Sequence, residues 1–427
     1  MSNPEFNSVF DIDDTGKAAY SDEIRVNVKG FFMIFRDITP HLREAARQFS
    51  AVAIVGPRQS GKTTLAQTVF PSHTYVSLED FDKREQAIAD PRRFLHDFSS
   101  DHGIIIDEIQ HAPKLLSYMQ TIIDREKKKG FFIVTGSQNF LVNEAITQTL
   151  AGRIAFLTLF PLSINELRTG SLLPKRIEEI VFRGMYPRLY SEDVAPVKLY
   201  ENYIHGYVER DVRQIKNVLD LNLFQKFLQL CAGRIGQILN LSSLGNDCGI
   251  DQKTARAWIS LLEASYVIFL LHPYYKNYGK RLIKQPKIYF VDTGIACSLL
   301  NIKSSQELSE HYLRGGLFES FMISDIFKQH YNIDQKPALS FWRDHQGNEV
   351  DCVIEQALRV ALVEIKSGQT VNTDFFKQFV YFNTIKEFPP SKKFIIYAGS
   401  DDQSWPEALV VAWQHAGGLV TAFNQTK

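Results

Sequence analysis

A short apolar run followed at once by a glycine-bounded loop is the feature that most constrains this chain. Residues 51–55 read AVAIV, and residues 56–64 read GPRQSGKTT, with the spacing G-x-x-x-x-G-K-T. Several backbone N–H groups converge on one anion where a tight turn of small residues precedes a helix N-terminus and a cation lies within reach. Gly56 and Gly61 permit that turn, and Leu65 begins an apolar helical face. The pattern predicts a buried strand, a phosphate-binding loop and a helix, the start of an α/β P-loop domain.

The loop contains side chains that are expected to bind ATP and Mg²⁺. Lys62 can reach the β- and γ-phosphates, and the Thr63 hydroxyl can ligate the metal ion, as in a Walker A sequence. The alternative is a glycine turn that happens to carry a lysine. The residues expected to bind nucleotide are Gly56, Pro57, Arg58, Gln59, Ser60, Gly61, Lys62, Thr63 and Thr64.

Two acidic residues follow a second apolar run, as in a Walker B sequence. Residues 103–106 read GIII and precede Asp107 and Glu108. A continuous apolar run is typical of a strand buried on both faces of a parallel sheet, and such sheets bind ligands at the carboxyl ends of their strands. We expect Asp107 to hold Mg²⁺ through water and Glu108 to orient the attacking water. The alternative is an acidic N-cap of a helix.

Two further positions are candidates for catalysis. A predicted strand at residues 131–135 is followed by Ser137 and Gln138, either of which could sense the γ-phosphate, although a plain helix cap is the competing interpretation. Arg153 lies in a small-residue turn, where an arginine could stabilise charge on the phosphoryl group within the chain or from a neighbouring subunit. Most arginines are surface residues, so a structural role is the alternative. Arg183 and Arg210 are the next candidates.

Length, charge and cysteine usage limit the class of protein. The chain has 427 residues, and at about 150 residues per domain this suggests about three domains. Lys and Arg together number 48, as do Asp and Glu, so only a local patch would bind nucleic acid. No apolar run approaches the roughly 18 residues of a membrane span, and no signal peptide is apparent. The scattered cysteines predict neither disulfides nor a zinc site, which favours the cytoplasm; they are Cys231, Cys248, Cys297 and Cys352.

These motifs together resemble a known family. The segments GPRQSGKTT, IIIDEIQ, FIVTGSQ and LAGRIAFLTLFPLSINEL are similar to those of AAA-type ATPases of bacteria and archaea that carry a C-terminal domain of unknown function. The similarity continues through residues 183–187, 207–211, 291–294 and 364–366 and so covers nearly everything after Met33. The resemblance implies an ATPase core, a helical and winged-helix middle, and a nuclease-like C-terminal module. One departure is Met185, where the family more often has glycine, and it puts a turn in doubt.

The middle of the chain supports a winged helix independently. Apolar residues recur with a helical period in three segments, at residues 223–230, 238–244 and 252–262. Together with a predicted turn at 245–249, these three helices suit a helix-turn-helix. We expect the basic and aromatic stretch at residues 274–287 to form the wing. Its possible DNA-phosphate contacts are Lys276, Lys280, Arg281, Lys284 and Lys287. The alternative is a protein-binding module with a solvated lysine face.

The last section carries the side chains of a possible nuclease site. Residues 318–327 are predicted as a helix, 341–354 as a hairpin turned at Gly347, and 360–366 as a strand. Residues two apart on a strand share a face, so Glu364 and Lys366 are expected on the same face of their strand. This order resembles the PD-(D/E)xK nuclease fold. The candidate site is Glu319, Asp351, Glu364 and Lys366, and the alternative is a helix cap with ordinary solvent-facing charges.

The predicted organisation is a loosely ordered extension at 1–32, a P-loop ATPase domain at 33–165, a helical and winged-helix region at 166–290, and a restriction-endonuclease-like α/β domain at 291–427. The expected function is ATP hydrolysis with Mg²⁺, coupled to a DNA-related task, with a homo-oligomer as the candidate assembly. The competing hypothesis is a slow ATP-dependent switch whose C-terminal domain is a protein-interaction scaffold without nuclease activity.

Overall fold

The architecture comes from a computed structural model of the full chain. It describes residues 34–136, 149–208, 220–275, 284–356, 359–382 and 391–425. The predicted extension at 1–32 lies outside these ranges.

A five-stranded parallel sheet forms the centre of the first section. Its strand order is β2-β3-β4-β1-β5, which places the strands before the phosphate loop and before Asp107 on either side of β4. Strands β1, β3 and β4 are buried along their whole length, as continuous apolar runs in a parallel sheet require. The strands are β1 Ala51–Val55, β2 Thr74–Ser77, β3 Ile104–Asp107, β4 Phe132–Gly136 and β5 Ile154–Thr158.

Short helices pack around this sheet. Helix α1 buries Leu42, Ala45 and Ala46, which recur at helical spacing. Asp90 separates two successive helices: its side chain caps the helix that begins at Pro91 and accepts from Arg93 N at 3.0 Å. The helices are α1 Thr39–Gln48, α2 Lys62–Val69, α3 Phe81–Ala89, α4 Pro91–Phe98 and α5 Leu115–Glu126.

The middle section is helical. Gly184 ends one helix with φ 72°, and a Cβ there would lie 1.9 Å from the Tyr200 hydroxyl, so glycine is required. The turn is therefore made by Gly184, and Met185 is buried, with its N–H donating to Asp292 at 2.7 Å. The helices are α6 Ile164–Thr169, α7 Ile177–Arg183, α8 Arg188–Ser191, α9 Pro196–Tyr203, α10 Leu221–Ala232, α11 Leu241–Cys248 and α12 Gln252–Ala264.

Three helices, α10 to α12, precede two antiparallel strands, Ile268–Pro273 and Lys287–Phe290, and a winged helix in this region stays a prediction. The predicted second helix at 238–244 is shifted: the Asn240 side chain accepts from Ser243 N at 3.0 Å, so α11 begins at Leu241. The predicted turn at 245–249 is also wrong, because only Gly249, at φ 88°, lies beyond the helix. Most of the predicted wing, residues 276–283, is outside the described ranges.

A second, eight-stranded mixed sheet forms the C-terminal section. Its order is β12-β13-β11-β10-β9-β8-β6-β7, with β10 and β11 parallel and β8, β9 and β10 antiparallel. The hairpin turns at Gly347, at φ 93°. The strands are β6 Ile268–Pro273, β7 Lys287–Phe290, β8 Leu339–Arg343, β9 Glu349–Gln356, β10 Arg359–Lys366, β11 Ser391–Tyr397, β12 Gln403–Ser404 and β13 Leu409–Ala412.

One hydrophobic core joins the middle and C-terminal sections. It extends from Phe160 to Phe423 and includes residues of both. Strands β6 and β7, from the predicted winged-helix region, complete the C-terminal sheet, so the boundary proposed after residue 290 lies within one packed unit. The remaining helices are α13 Thr293–Leu299, α14 Ser305–Glu310, α15 Arg314–Asn332, α16 Lys377–Phe382 and α17 Leu419–Gln425.

Candidate functional site

The phosphate loop joins the end of β1 to the start of α2. Gly56 has φ 142°, and a Cβ there would lie 2.2 Å from the Leu159 carbonyl oxygen. Gly61 has φ 94° at the N-cap of α2, a conformation that favours glycine. Both glycines of the sequence motif are therefore needed by the backbone. Their positions leave the N–H groups of the first turn of α2 available to an anion.

Lys62 lies over this loop. Its side chain is buried, and Nζ donates to the carbonyl oxygens of Gly56 at 3.1 Å and Pro57 at 2.8 Å. The ammonium group is thus held beside the turn that a polyphosphate would enter. Two other loop side chains point elsewhere: Arg58 forms a 3.8 Å ion pair with Glu79, and Thr64 is exposed.

Asp107 is the centre of a cluster of hydroxyl groups. The Thr63 hydroxyl donates to both of its carboxylate oxygens at 3.0 Å, and the Tyr75 hydroxyl donates to Oδ2 at 3.0 Å. Thr135, at the end of β4, donates to Oδ1. Burial, and then the neighbouring Asp107 charge, raise the pKa of Tyr75 to about 12, so this phenol remains a donor at neutral pH.

Glu108 is held beside Asp107 by its backbone. It has φ 56° and ψ 52°, and its N–H donates to the Thr135 hydroxyl at 3.2 Å. The Gln110 amide donates to Glu108 Oε2. Thr135 therefore connects both acidic residues. Sequence reasoning missed Thr135 and Gln110, although Thr135 ends an apolar strand, which is the same signal that identified Asp107.

Arg153 lies at the other edge of the sheet. Its carbonyl accepts from Ala51 N at the start of β1, whereas the phosphate loop follows the end of β1, roughly 16 Å away for a five-residue strand. The guanidinium donates to both Asp124 oxygens, at 2.6 and 3.1 Å. Arg153 therefore starts from the end of the sheet opposite the phosphate loop, which does not favour contact with a phosphoryl group bound to the same chain. Contact with a neighbouring subunit stays a prediction.

The C-terminal sheet brings the four predicted nuclease residues into one cluster. Lys366 Nζ donates to Glu364 Oε2, and Asp351 Oδ2 accepts from Ile365 N at 2.8 Å. Glu319, on α15, accepts from the Tyr289 hydroxyl at 2.5 Å. The other oxygen of Glu364, Oε1, is buried and has no hydrogen-bond partner.

The carboxylates of this cluster interact electrostatically. Burial, and then the Asp351 charge, raise the pKa of Glu319 to about 7 and that of Glu364 to about 8. Burial would lower the pKa of Lys366, but Asp351 and Glu364 raise it above its ordinary value. Burial therefore favours the protonated form of both glutamates. Within the described ranges, no group of three or more His, Cys, Asp or Glu side chains is arranged to hold a metal ion.

Lys287 belongs to this cluster and not to a DNA-binding surface. Its side chain is 4% exposed, and Nζ lies 3.0 Å from Glu319 Oε1 and 2.5 Å from Glu349 Oε1. The expectation that Lys287 contacts DNA phosphates is wrong for this structure, because the ammonium group faces inward. Lys284 is exposed, as that role requires. The other proposed contacts, Lys276, Lys280 and Arg281, and the sensor candidates Ser137 and Gln138, lie outside the described residues.

Three family models match the chain in succession. One is described as an AAA domain and matches residues 48–168. Residues 48–168 form an AAA-type P-loop ATPase domain. A domain of unknown function (DUF8612) matches residues 174–306, and another (DUF4143) matches residues 314–415.

Relatives and solved structures extend beyond the AAA domain. An uncharacterized protein of Mycobacterium tuberculosis is 29% identical over 343 residues, which is 78% of this chain and 74% of the relative. One of Methanocaldococcus jannaschii is 24% identical over 300 residues, 58% and 62% of the two chains. A Walker-type ATPase of Pyrococcus abyssi matches with a TM-score of 0.44 and 15% identity, covering 65% of this chain and 99% of that one. The RuvB Holliday junction branch migration motor of Thermotoga maritima matches with a TM-score of 0.30 and 17% identity, covering 55% and 88%.

No helix among the described residues, in the AAA domain or beyond it, is both long and apolar enough to cross a membrane. All four cysteines are buried and unbridged.

Proposed function

We propose that the chain hydrolyses ATP with Mg²⁺ at the phosphate loop. The observation that carries the proposal is the convergence of Lys62, Thr63 and Asp107 at the carboxyl ends of β1 and β3, beside the N-terminus of α2. The glycine turns supply backbone donors, and Lys62 supplies a cation for the β- and γ-phosphates.

The oxygen atoms in this site suit a magnesium ion. Mg²⁺ prefers hard oxygen ligands and keeps several waters. The Thr63 hydroxyl and the Asp107 carboxylate, 3.0 Å apart, provide one direct oxygen ligand and one carboxylate that can bind through water. When bound, the ion would neutralise charge on the β- and γ-phosphates. Tyr75 and Thr135 would then fix the orientation of the Asp107 carboxylate.

Glu108 is proposed to orient the attacking water. Its backbone is fixed by Thr135, and its carboxylate by Gln110, so the residue is presented from a rigid turn. Lys62 meets the phosphates in the ground and transition states, whereas Glu108 acts mainly when water attacks.

Two substitutions test these roles. Lys62→Ala is expected to lose ATP binding, whereas Glu108→Gln keeps binding but loses hydrolysis. Nucleotide binding and phosphate release are measured on both, beside Lys129→Ala, which changes an exposed lysine of the same domain. Undiminished turnover by the Glu108 variant would contradict the role of that residue, and tight binding by the Lys62 variant would contradict the site.

A DNA-related task is proposed for the other sections. The order of helix α15, strand β9 and strand β10, each carrying part of the acidic cluster, supports a nuclease-like module. The unpartnered Oε1 of Glu364 supports a ligand in the cluster, because a buried acceptor without a partner is costly. Asp351 and Glu364 would bind a divalent cation that stabilises charge on a phosphodiester, and Lys366 would polarise the attacking water. Glu319 is held by Lys287 and Tyr289, and we assign it to shaping the cluster.

The nuclease proposal is tested with labelled linear and branched DNA in Mg²⁺ or Mn²⁺. Cleavage that Asp351→Ala and Lys366→Ala lack would support the site. No cleavage on any substrate, with no metal bound at Asp351, would favour the alternative function, a slow ATP-dependent switch with a protein-binding C-terminal scaffold. Turnover measured with single-stranded, double-stranded and branched DNA separates the same two functions, because only the DNA-coupled enzyme is stimulated. We propose a cytoplasmic location for either function, the DNA-coupled enzyme or the switch. Self-association is to be measured on the same protein preparations.

A further inference from the structure

A buried arginine supports the phosphate loop from behind. Arg36 is 7% exposed, and each nitrogen of its guanidinium has an acceptor. Nη1 donates to the Ser60 carbonyl at 2.7 Å, Nη2 donates to the Phe160 carbonyl at 2.6 Å, and Nε donates to Glu166 Oε1 at 3.0 Å. Charge-assisted hydrogen bonds of this kind are short and strong, and the planar fork of arginine suits several acceptors at once.

The bond to Ser60 fixes a peptide unit of the loop. Every described peptide bond is trans, so the carbonyl of Ser60 and the N–H of Gly61 point in opposite directions. Because Arg36 holds the carbonyl on its own side, the Gly61 N–H is directed away from Arg36. Arg36 also lies next to Gly61, since a Cβ there would be in ordinary van der Waals contact with Nη1 at 3.5 Å. The guanidinium therefore resists rotation of this peptide unit.

Glu166 links Arg36 to the C-terminal section. Its Oε2 accepts from Ser163 N at 2.9 Å, within a capping box at the start of α6. In the same segment, Ile164 N donates to Asp325 of α15 at 2.7 Å. Asp325 is 1% exposed. Residues 160–166 are thus held by Arg36 on one side and by α15 on the other, and α15 also carries Glu319.

We propose that Arg36 is a positioning residue that holds the Ser60–Gly61 peptide in the phosphate-binding conformation, and that α15 anchors the segment on which Arg36 rests. The first part deepens the proposed ATP site and rests on it. The second part makes nucleotide affinity depend on a helix of the C-terminal section. Arg36 itself forms no contact with the reacting atoms in this account.

The first test uses Arg36→Lys. Lysine keeps the positive charge beside Glu166 but cannot donate to three acceptors in a fork. We expect affinity for a fluorescent ATP analogue to fall about tenfold, which corresponds to about 1.4 kcal/mol. Hydrogen exchange of a peptide covering residues 56–64 is expected to rise without nucleotide. Arg43→Lys, on the exposed face of α1, is the matched control.

The exchange measurement does not depend on ATP, so the two proposals can fail separately. If the unaltered protein binds no nucleotide, the proposed function is wrong, while loop exchange still tests Arg36. If Arg36→Lys lowers thermal stability but leaves both analogue affinity and loop exchange within twofold of the unaltered protein, the residue is structural and the positioning role is wrong.

Asp325→Ala tests the anchor on α15. We expect loop exchange to rise as in Arg36→Lys, but less, because the Arg36 contacts remain. Exchange equal to that of the unaltered protein, in a variant with native circular dichroism, would overturn the link to α15.

Discussion

Glu364→Gln is expected to stabilise the protein, and more at alkaline than at acidic pH. The carboxyl group is 1% exposed, and burial raises its pKa to about 8 from an ordinary 4.5, with a further contribution from Asp351. The folded state therefore keeps a proton that the unfolded chain loses near pH 4.5. Stability associated with this group is fully present below pH 4.5 and falls as the pH rises through 8. Glutamine has the same shape and no charge to bury, so it removes this loss.

The magnitude follows from the two pKa values. One pKa unit corresponds to about 1.36 kcal/mol. The ionisable group therefore lowers the free energy of unfolding by about 4 kcal/mol at pH 8 and by about 1.4 kcal/mol at pH 5.5, relative to a group that stays neutral. The substitution also breaks the ion pair with Lys366, which offsets part of the gain. We expect the variant to gain about 1–3 kcal/mol more at pH 8 than at pH 5.5. In a protein of this size the difference is a shift in Tm of a few degrees, of the order of 2 °C per kcal/mol.

Thermal unfolding of both proteins at pH 5.5, 7 and 8 measures this difference. Glu44→Gln, which removes an exposed carboxylate on α1, is the control and is expected to show little dependence on pH. A change in Tm for Glu364→Gln that is equal at pH 5.5 and pH 8 would refute the reasoning. A larger loss of stability at pH 8 would show that the pair with Lys366 outweighs the burial of the charge.

Three further outcomes are expected. Thr135→Val keeps the shape of the side chain but removes the hydroxyl that donates to Asp107. Losing a hydrogen bond to a charged group costs roughly 1.5–3 kcal/mol, so we expect kcat, measured by phosphate release, to fall at least tenfold. An unchanged kcat would show that the hydroxyl is dispensable. Lys280→Glu with Lys284→Glu is expected to abolish any DNA binding without lowering basal turnover, and filter binding over a salt series checks this because reversed charges prevent counterion release. Arg153→Ala is expected to reduce kcat only at protein concentrations where subunits associate, and a reduction that is independent of concentration would contradict a role in trans.

The phosphate loop was predictable because its requirements are local. A strand, two glycines with positive φ, a lysine and a hydroxyl residue lie within fourteen consecutive positions, and the structure places each where the spacing indicates. Asp107 and Glu108 were predictable for a related reason: a buried parallel strand delivers the residues after it to the ligand-binding edge.

Residues whose role depends on contacts between distant segments could not be assigned in this way. Lys287 ends a basic stretch and was expected on the surface, but β7 joins the C-terminal sheet and turns its ammonium group toward Glu319 and Glu349. Arg153 follows a turn that suits a catalytic arginine, but β5 is parallel to β1, so the residue before β5 lies at the amino edge.

The sequence by itself determined the local geometry of the phosphate loop and the types of side chain in the C-terminal cluster, because strand period and loop spacing act over a few residues. The tertiary structure decided which charges are buried together. Arg36 reaches Glu166, 130 positions away, and Lys287 reaches Glu319, 32 positions away. Neither pair has a spacing that periodicity could reveal. Only the packing of α15 and the two sheets buries these groups, and a buried charge requires a partner.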